Sequence, residues 1–463
     1  MNIYANLLKN TSILFLGTIC VRAISFLVVP LFSSWLSSED FGMFDLLCIY
    51  VAMSVPLLSL SNGEGVFRKI IDADKERTIR FTTVAFIQTI VAALLFCIIV
   101  PIIFHFYNEQ LTIPFLSLAL GELIAYLLTN YARGKKKTVL YASSSFIFVC
   151  VMAVSVTYFV FLKKMGLPGI LYGYSLGFYV ESVFIVCRTG FFKDVNFAFV
   201  KRKDFAEMLS YSLPLIPNKI SWNFVNIISR TLILLFIGAA SNGVFAIASK
   251  IPIICTALFN SFHMSWQESA VDAMNSNEKN SFYNNVFNKS FELLLSTCMV
   301  ILSFNHFLFT YIFDEKYYEA AYISPFLIMA MIFFFFSEFF SGIFNALQKT
   351  SVNGLSTFIS ALLNILFSLI LIKFIGLYAI AIATLFSYMF LFVFRWVKLK
   401  KFLSLSVNSD IVWRVLIFLV FVVIQYINCL NLHLLSIPVS LFLFVYMNRF
   451  VLIKITKKLK RNR

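Results

Sequence analysis

Long apolar runs separated by short polar intervals dominate the chain. A helix rising about 1.5 Å per residue needs roughly 20 mainly apolar residues to cross a hydrocarbon core. By that measure the pattern predicts fourteen spans, at about 11–33, 41–60, 81–104, 112–131, 139–162, 168–187, 212–237, 243–263, 289–313, 321–345, 353–373, 376–396, 411–430 and 432–450. The runs are about twice the length of a barrel strand and lack period-2 alternation, which excludes a closed β-barrel. In lipid the backbone must then satisfy its own hydrogen bonds as α-helix. The expected fold class is an all-α polytopic membrane protein.

Composition agrees: 60% of the residues are hydrophobic and 13% charged, against roughly a quarter charged in soluble domains. Orientation follows from the basic residues, which concentrate on the cytoplasmic side. With the N-terminus inside, 30 of the 38 Lys and Arg fall in inner segments, and only Lys163, Lys164, Lys316 and Lys373 fall in outer loops. The Lys163–Lys164 pair is the one outer loop that runs against the pattern. Both termini are expected in the cytoplasm. The net charge of +16 is then mostly a topology signal and not a nucleic-acid surface, while the tail KITKKLKRNR suits anionic lipid headgroups. The first run is too long for a signal-peptide core and lacks an A-x-A-like site, so an uncleaved span is expected there.

Several chemistries are excluded. All eight Cys lie in expected spans with no C-x-x-C pair, and the four His are scattered, so no metal site is expected. No Walker motif, G-x-S-x-G or G-x-G-x-x-G occurs, and no outer loop exceeds about ten residues. No bound cofactor is expected. With ATP hydrolysis excluded, transport would draw on an H+ or Na+ gradient or on the substrate's own gradient.

The candidate chemistry lies within the spans. The stretch PLIPNKISWNFVNIISRTLILLF at 214–236 carries Lys219, Asn223, Asn226 and Arg230 at offsets of four, three and four, one face of a helix. Arg22 in span 1 and Lys250 in span 8 add two more intramembrane cations. Each would cost roughly 2.5–3.5 kcal/mol facing lipid, so the group is expected to line a wet cavity or to be paired. Cations at several depths suit a phosphate-bearing substrate, and amides suit sugar hydroxyls, with Trp222 placed to stack on a sugar face. The expected substrate-binding set is Arg22, Lys219, Asn223, Asn226, Arg230 and Lys250. Glu122, Glu181 and Glu338 are candidates for carrying a coupling ion, and together with Glu292 they are also the carboxylates available for salt bridges with the cations.

Span 1 repeats part of this design, with Thr18, Arg22 and Ser25 in the phase of Lys219, Asn223 and Asn226. FGMF at 41–44 and NGVF at 242–245 each open the helix that follows. These matches, six spans apart, predict two six-helix lobes related by a parallel repeat, with a site near the midplane between spans 1 and 7. The expected organisation is an N-terminal lobe at 1–205, a C-terminal lobe at 206–402, and two accessory spans with a basic tail at 403–463.

The opening LGTICVRAISFLVVPLFSSWLSSEDFGMFDLL, the segment SNGEGVFRKI, and LPLIPNKISWNFVNIISRTLILLFIGAASNGVFAIASKI resemble helices 1–2 and 7–8 of the Wzx-type oligosaccharide flippases. These belong to the multidrug/oligosaccharidyl-lipid/polysaccharide exporter superfamily. The resemblance implies a MATE-like inverted V of two lobes working by alternating access. It also implies an undecaprenyl-diphosphate-linked oligosaccharide as substrate, carried across the bacterial inner membrane for O-antigen or capsule biosynthesis. A polysaccharide polymerase and chain-length machinery are the partners it implies; nucleic acid is not among them, and the protein would not be an enzyme. Arg22, Lys250 and Arg230 match cationic positions of that family, while Lys219, Asn223 and Asn226 rest on the helical-face argument. Ser229 departs from the pattern, where the family often has an Asp that would partner the following Arg. Two alternatives are a MATE-type ion-coupled drug antiporter, which Arg22 at the middle of span 1 opposes, and a membrane glycan polymerase or ligase, which would need a large outer loop.

Overall fold

The computed structural model describes residues 21, 24–71, 73–274, 279–403, 410–427 and 430–449. Among them every regular element is helical. The chain forms two compact units, Met1–Thr231 with Gly238–Gly243, and Leu232–Ile237 with Val244–Arg463.

The first unit contains α1 (Ile24–Trp35), α2 (Ser38–Leu58), α3 (Asn62–Ile70), α4 (Lys75–Tyr107), α5 (Thr112–Gly134), α6 (Thr138–Val156), α7 (Gly166–Thr189), the short α8 (Arg202–Ser212) and most of α9 (Leu215–Phe236). The helix starts follow from local chemistry. The Ser37 side chain accepts from the Asp40 amide at the start of α2, with Glu39 and Asp40 in the first turn, and Asp74 caps α4 through the Arg77 amide. Leu60 and Ser61 take left-handed φ values of 55° and 53°, turning the chain from α2 into α3. On α4, Leu94, Ile98, Ile102 and Phe106 recur every four residues, each more than half exposed, and form a lipid-facing stripe. The opposite face is buried: Phe81, Val84 and Ala85 pack with Val66 and Ile70 of α3, Tyr131 of α5 and Met208 of α8.

The second unit contains most of α10 (Ala239–Met274), with α11 (Lys279–Tyr311), α12 (Ala320–Ala346), α13 (Thr350–Ile375), α14 (Tyr378–Leu399), α15 (Asp410–Ile424) and α16 (Leu430–Met447). Its centre is α12, which packs closely on α14. Phe287, Phe336, Phe340, Phe392 and Trp396 stack there with centroids 5.4–6.4 Å apart. Rigid aromatic surface of this kind supplies the dispersion contacts that hold helices together in lipid, where apolar burial alone favours nothing.

Nine of the described helices are long and apolar enough to cross a membrane, and they coincide with expected spans 2–6 and 9–12. Shorter apolar stretches stand at Ile24–Trp35, Val225–Phe236 and Asn431–Met447, where spans 1, 7 and 14 are expected.

Candidate functional site

The polar interior of the first unit is built on α2 and the part of α9 that belongs to it. Asp45, two turns into α2, places its carboxylate 3.2 Å from the Arg230 guanidinium of α9, and both residues are buried. Further along the same two helices the Tyr50 hydroxyl lies 2.9 Å from that of Thr231. A buried cation is tolerable only where a counter-charge or water compensates it. Asp45 is that compensation. The partner is neither residue 229 nor one of the four glutamates; it comes from a helix 185 positions earlier. A guanidinium carries five donors in a fixed fork, so an Arg held on one edge by a carboxylate keeps its geometry for a phosphate on another.

The two motifs FGMF and NGVF meet each other. Asn242 donates from Nδ2 to the Gly42 carbonyl at 2.7 Å. A Cβ on Gly42 would overlap the Ala239 carbonyl oxygen and lie 2.5 Å from the Gly243 nitrogen, and one on Gly243 would overlap the Ser38 carbonyl oxygen. Glycine is required at both positions for backbone-to-backbone approach of the helix starts.

A second polar seam joins α3, α4 and α5. Asn62 donates to the Ala85 carbonyl at 3.0 Å and to the Thr89 hydroxyl at 2.7 Å. The Tyr126 hydroxyl donates to the Glu64 carboxylate. Glu122 lies one turn before Tyr126 on α5 and has no hydrogen-bond or ion-pair partner among the described residues.

In the second unit a buried network centres on Arg395 of α14, which is 1% exposed. It donates to Glu338 at 2.9 Å, to the Ser337 carbonyl at 2.8 Å, and to the hydroxyls of Ser356 and Thr357 at 3.0 Å each. His263 of α10 lies 3.9 Å from the other Glu338 carboxylate oxygen and 3.0 Å from its backbone carbonyl. Glu292 pairs with Arg414, and the Glu181 carboxylate accepts from Ser144 at 3.0 Å. Glu338 and Glu292 therefore do form salt bridges, but with Arg395 and Arg414, which the charge distribution had placed in the inner basic flanks.

The expected site residues are distributed as follows. Arg22 lies outside the described residues. Lys219 and Asn223 lie on α9, which runs unbroken through all four polar positions, but their side chains lie outside the described residues. Asn226 is exposed and Arg230 buried on that helix, and Lys250 is half-buried on α10 in the second unit. Asp45, Tyr50 and Arg395 were not singled out from the sequence. A single Asp soon after a helix cap and an Arg beside Lys398, Lys400 and Lys401 look locally like ordinary flanking charge. Both lie near the ends of expected spans, at 41–60 and 376–396. Among the described residues no group of three or more His, Cys, Asp or Glu is arranged to hold a metal ion.

The family described as "Polysaccharide biosynthesis protein" matches residues 7–266. Among solved structures, the chain is similar to the lipid II flippase MurJ in an inward closed conformation, with 12% identity, a TM-score of 0.71, and 95% of this chain and 99% of that chain covered. It is similar to an inward-facing multidrug resistance MATE family transporter of the MOP superfamily, with 14% identity, a TM-score of 0.65, and 87% and 95% covered. A MOP superfamily transporter from Pyrococcus furiosus follows at 16% identity, a TM-score of 0.58, and 85% and 96% covered. At such identities the likeness establishes the fold, which is that of MATE and MurJ transporters. No curated protein matches the chain.

Proposed function

Because the chain belongs to the polysaccharide biosynthesis protein family and has the fold of MATE and MurJ transporters, we propose that it is a flippase for undecaprenyl-diphosphate-linked oligosaccharide repeat units. It moves them across the bacterial inner membrane by alternating access, for assembly of a surface polysaccharide such as O-antigen or capsule. Both termini lie in the cytoplasm on this reading, as the distribution of Lys and Arg requires. Arg22, Arg230 and Lys250 receive the diphosphate, Lys219, Asn223 and Asn226 contact the glycan, and the prenyl chain stays in lipid. The lobes are 1–205 and 206–402, with 403–463 accessory. A polymerase and chain-length machinery act on the product, and the protein itself makes and breaks no covalent bond.

The observation that carries this reading is Arg230, a guanidinium buried within an apolar helix and held in place by Asp45. An exporter of cationic drugs has no use for an anion-recognising fork at that position, whereas a diphosphate carrier does. Glu122, without a partner among the described residues, is the carboxylate most free to carry a coupling H+, since Glu181 and Glu338 are engaged by Ser144 and Arg395.

The test is deletion of the gene in its own host, scoring surface polysaccharide and undecaprenyl-linked intermediates. Loss of surface glycan with complete repeat units accumulating on the inner leaflet, rescued by the wild-type gene and not by a folded Arg230 variant, is the expected result. Unchanged glycan with raised sensitivity to cationic drugs would make the protein an antiporter and overturn the proposal.

A further inference from the structure

Away from the polar interior, the first unit carries a cavity of about 430 Å³ lined by Arg68, Lys69, Ile71, Ala73, Arg77 and Tyr211. It sits where the end of α3, the start of α4 and α8 converge, on the face assigned above to the cytoplasm. Its volume lies within the range of small-molecule sites, roughly 300–1,000 Å³. Three of its six lining side chains are cationic and none is acidic.

Two of those cations are fixed before any ligand arrives. Glu207 of α8 accepts from Lys69 at 3.0 Å and from Arg77 at 2.9 Å. The same two cations lie over the buried Phe81 ring, 5.6 Å and 5.5 Å from its centroid. Each is thus held between a carboxylate and an aromatic face, which removes much of the rotamer entropy that a binding event would otherwise cost. α8 cannot drift away, because Met208 is fully buried against Val66 and Ile70. Arg68, the third cation, is exposed and has no carboxylate partner among the described residues. Among the described residues, Asp204 and Glu76 are committed to Arg80, and Asp74 to the cap of α4. Among the described residues that line the cavity or pair with its cations, Glu207 offsets one of three positive charges. Tyr211 adds a hydroxyl that can donate.

We infer that this cavity is a phosphate-binding site, in which the Arg68 and Arg77 guanidiniums and the Lys69 ammonium receive a phosphate group and Tyr211 closes one side. A preorganised set of three cations with a hydroxyl matches the tetrahedral oxygens of a phosphate, and the remaining volume admits the group that bears it. The ligand is a free phosphate compound from the cytoplasm or the headgroup of an anionic lipid. Bound there, it ties α3 and α4 to α8, the segment that leads into α9. The inference does not depend on which substrate the protein carries.

The test uses full-length protein purified in a neutral, phosphate-free detergent. Titration with inorganic pyrophosphate in a calorimeter probes the free ligand. Native mass spectrometry after reconstitution into phosphatidylcholine, with and without phosphatidylglycerol, probes the headgroup. Arg68→Gln, at an exposed position, should leave the melting temperature unchanged and weaken the bound probe at least tenfold; Arg77→Gln should weaken it further, and Arg68→Lys should retain most of the affinity. Pyrophosphate binding lost in the variants identifies a free phosphate ligand, and selective loss of retained phosphatidylglycerol identifies a headgroup. Binding of both probes equal in wild type and variants, or binding of neither to the wild type, overturns the inference.

Discussion

The ion pair between Asp45 and Arg230 can be taken apart so that its structural and functional roles separate. At 3.2 Å and an effective dielectric near 20, the attraction is about 5 kcal/mol, and desolvation of both ions offsets most of it. Removing one partner takes this attraction from a charge that stays buried, which costs about 3–5 kcal/mol. Asp45→Asn and Arg230→Gln should each lower the melting temperature in detergent sharply. The double variant Asp45→Asn/Arg230→Gln removes both charges of the pair and should be less destabilised than either single variant, so that the coupling energy in a double-mutant cycle exceeds either single loss and is at least about 3 kcal/mol. Export of surface polysaccharide in the host then divides the two roles. If Arg230 receives the diphosphate, the double variant folds and accumulates but exports little. Wild-type export by the double variant would refute a substrate role and leave Arg230 as a helix-to-helix tie. Additive melting effects, with no recovery in the double variant, would refute the pairing itself.

Three further outcomes are expected. Gly42→Ala should force apart the starts of α2 and α10, where its Cβ overlaps the Ala239 carbonyl oxygen, and should reduce both stability and export; Gly354→Ala, whose Cβ meets nothing within 4 Å, should be neutral or stabilising by up to about 1 kcal/mol as expected in a helix, with both read by thermal melting. Arg395→Ala strips Glu338, Ser356, Thr357 and the Ser337 carbonyl of their donor and should cost about 3–5 kcal/mol, seen as loss of folded protein in the membrane fraction, and Arg395→Lys should restore little because it lacks the fork. The hydrogen bond from Lys69, with the charges of Lys69, Arg77 and Arg80 behind it, holds the Glu207 carboxyl below its ordinary value of 4.5. A group with a lowered folded value contributes stability above its unfolded pKa and loses it as pH falls through the folded one. Protection factors of the amides across 202–212, corrected for the intrinsic pH dependence of exchange, should therefore be high at neutral pH and fall only in acid below the ordinary value of 4.5, and Glu207→Gln should show lower protection at neutral pH and lose that acid dependence.

The chain's local pattern determined a good deal. Apolar runs of bilayer length force helix because lipid offers no partner to a backbone amide, and the helices at 75–107, 138–162 and 378–399 lie where those runs lie. The cost of intramembrane charge singles out Arg230, and the repeated glycine motif singles out Gly42 and Gly243, where the starts of α2 and α10 meet backbone to backbone. Both inferences rest on properties that neighbouring residues along one helix define. Partnership is different. Asp45 finds Arg230 and Arg395 finds Glu338 across 185 and 57 positions, and no periodicity within either helix records which helix will lie alongside. The basic cavity is of the same kind: Arg68, Lys69 and Arg77 look in the sequence like topology charge, and only α8, folding back to set Glu207 and Tyr211 beside them, turns a basic flank into a concave site. Charge and hydropathy act through the residue's own position in the bilayer, so the sequence alone determines them; pairing and cavities depend on which surfaces meet, and that was decided by the tertiary packing of the helices.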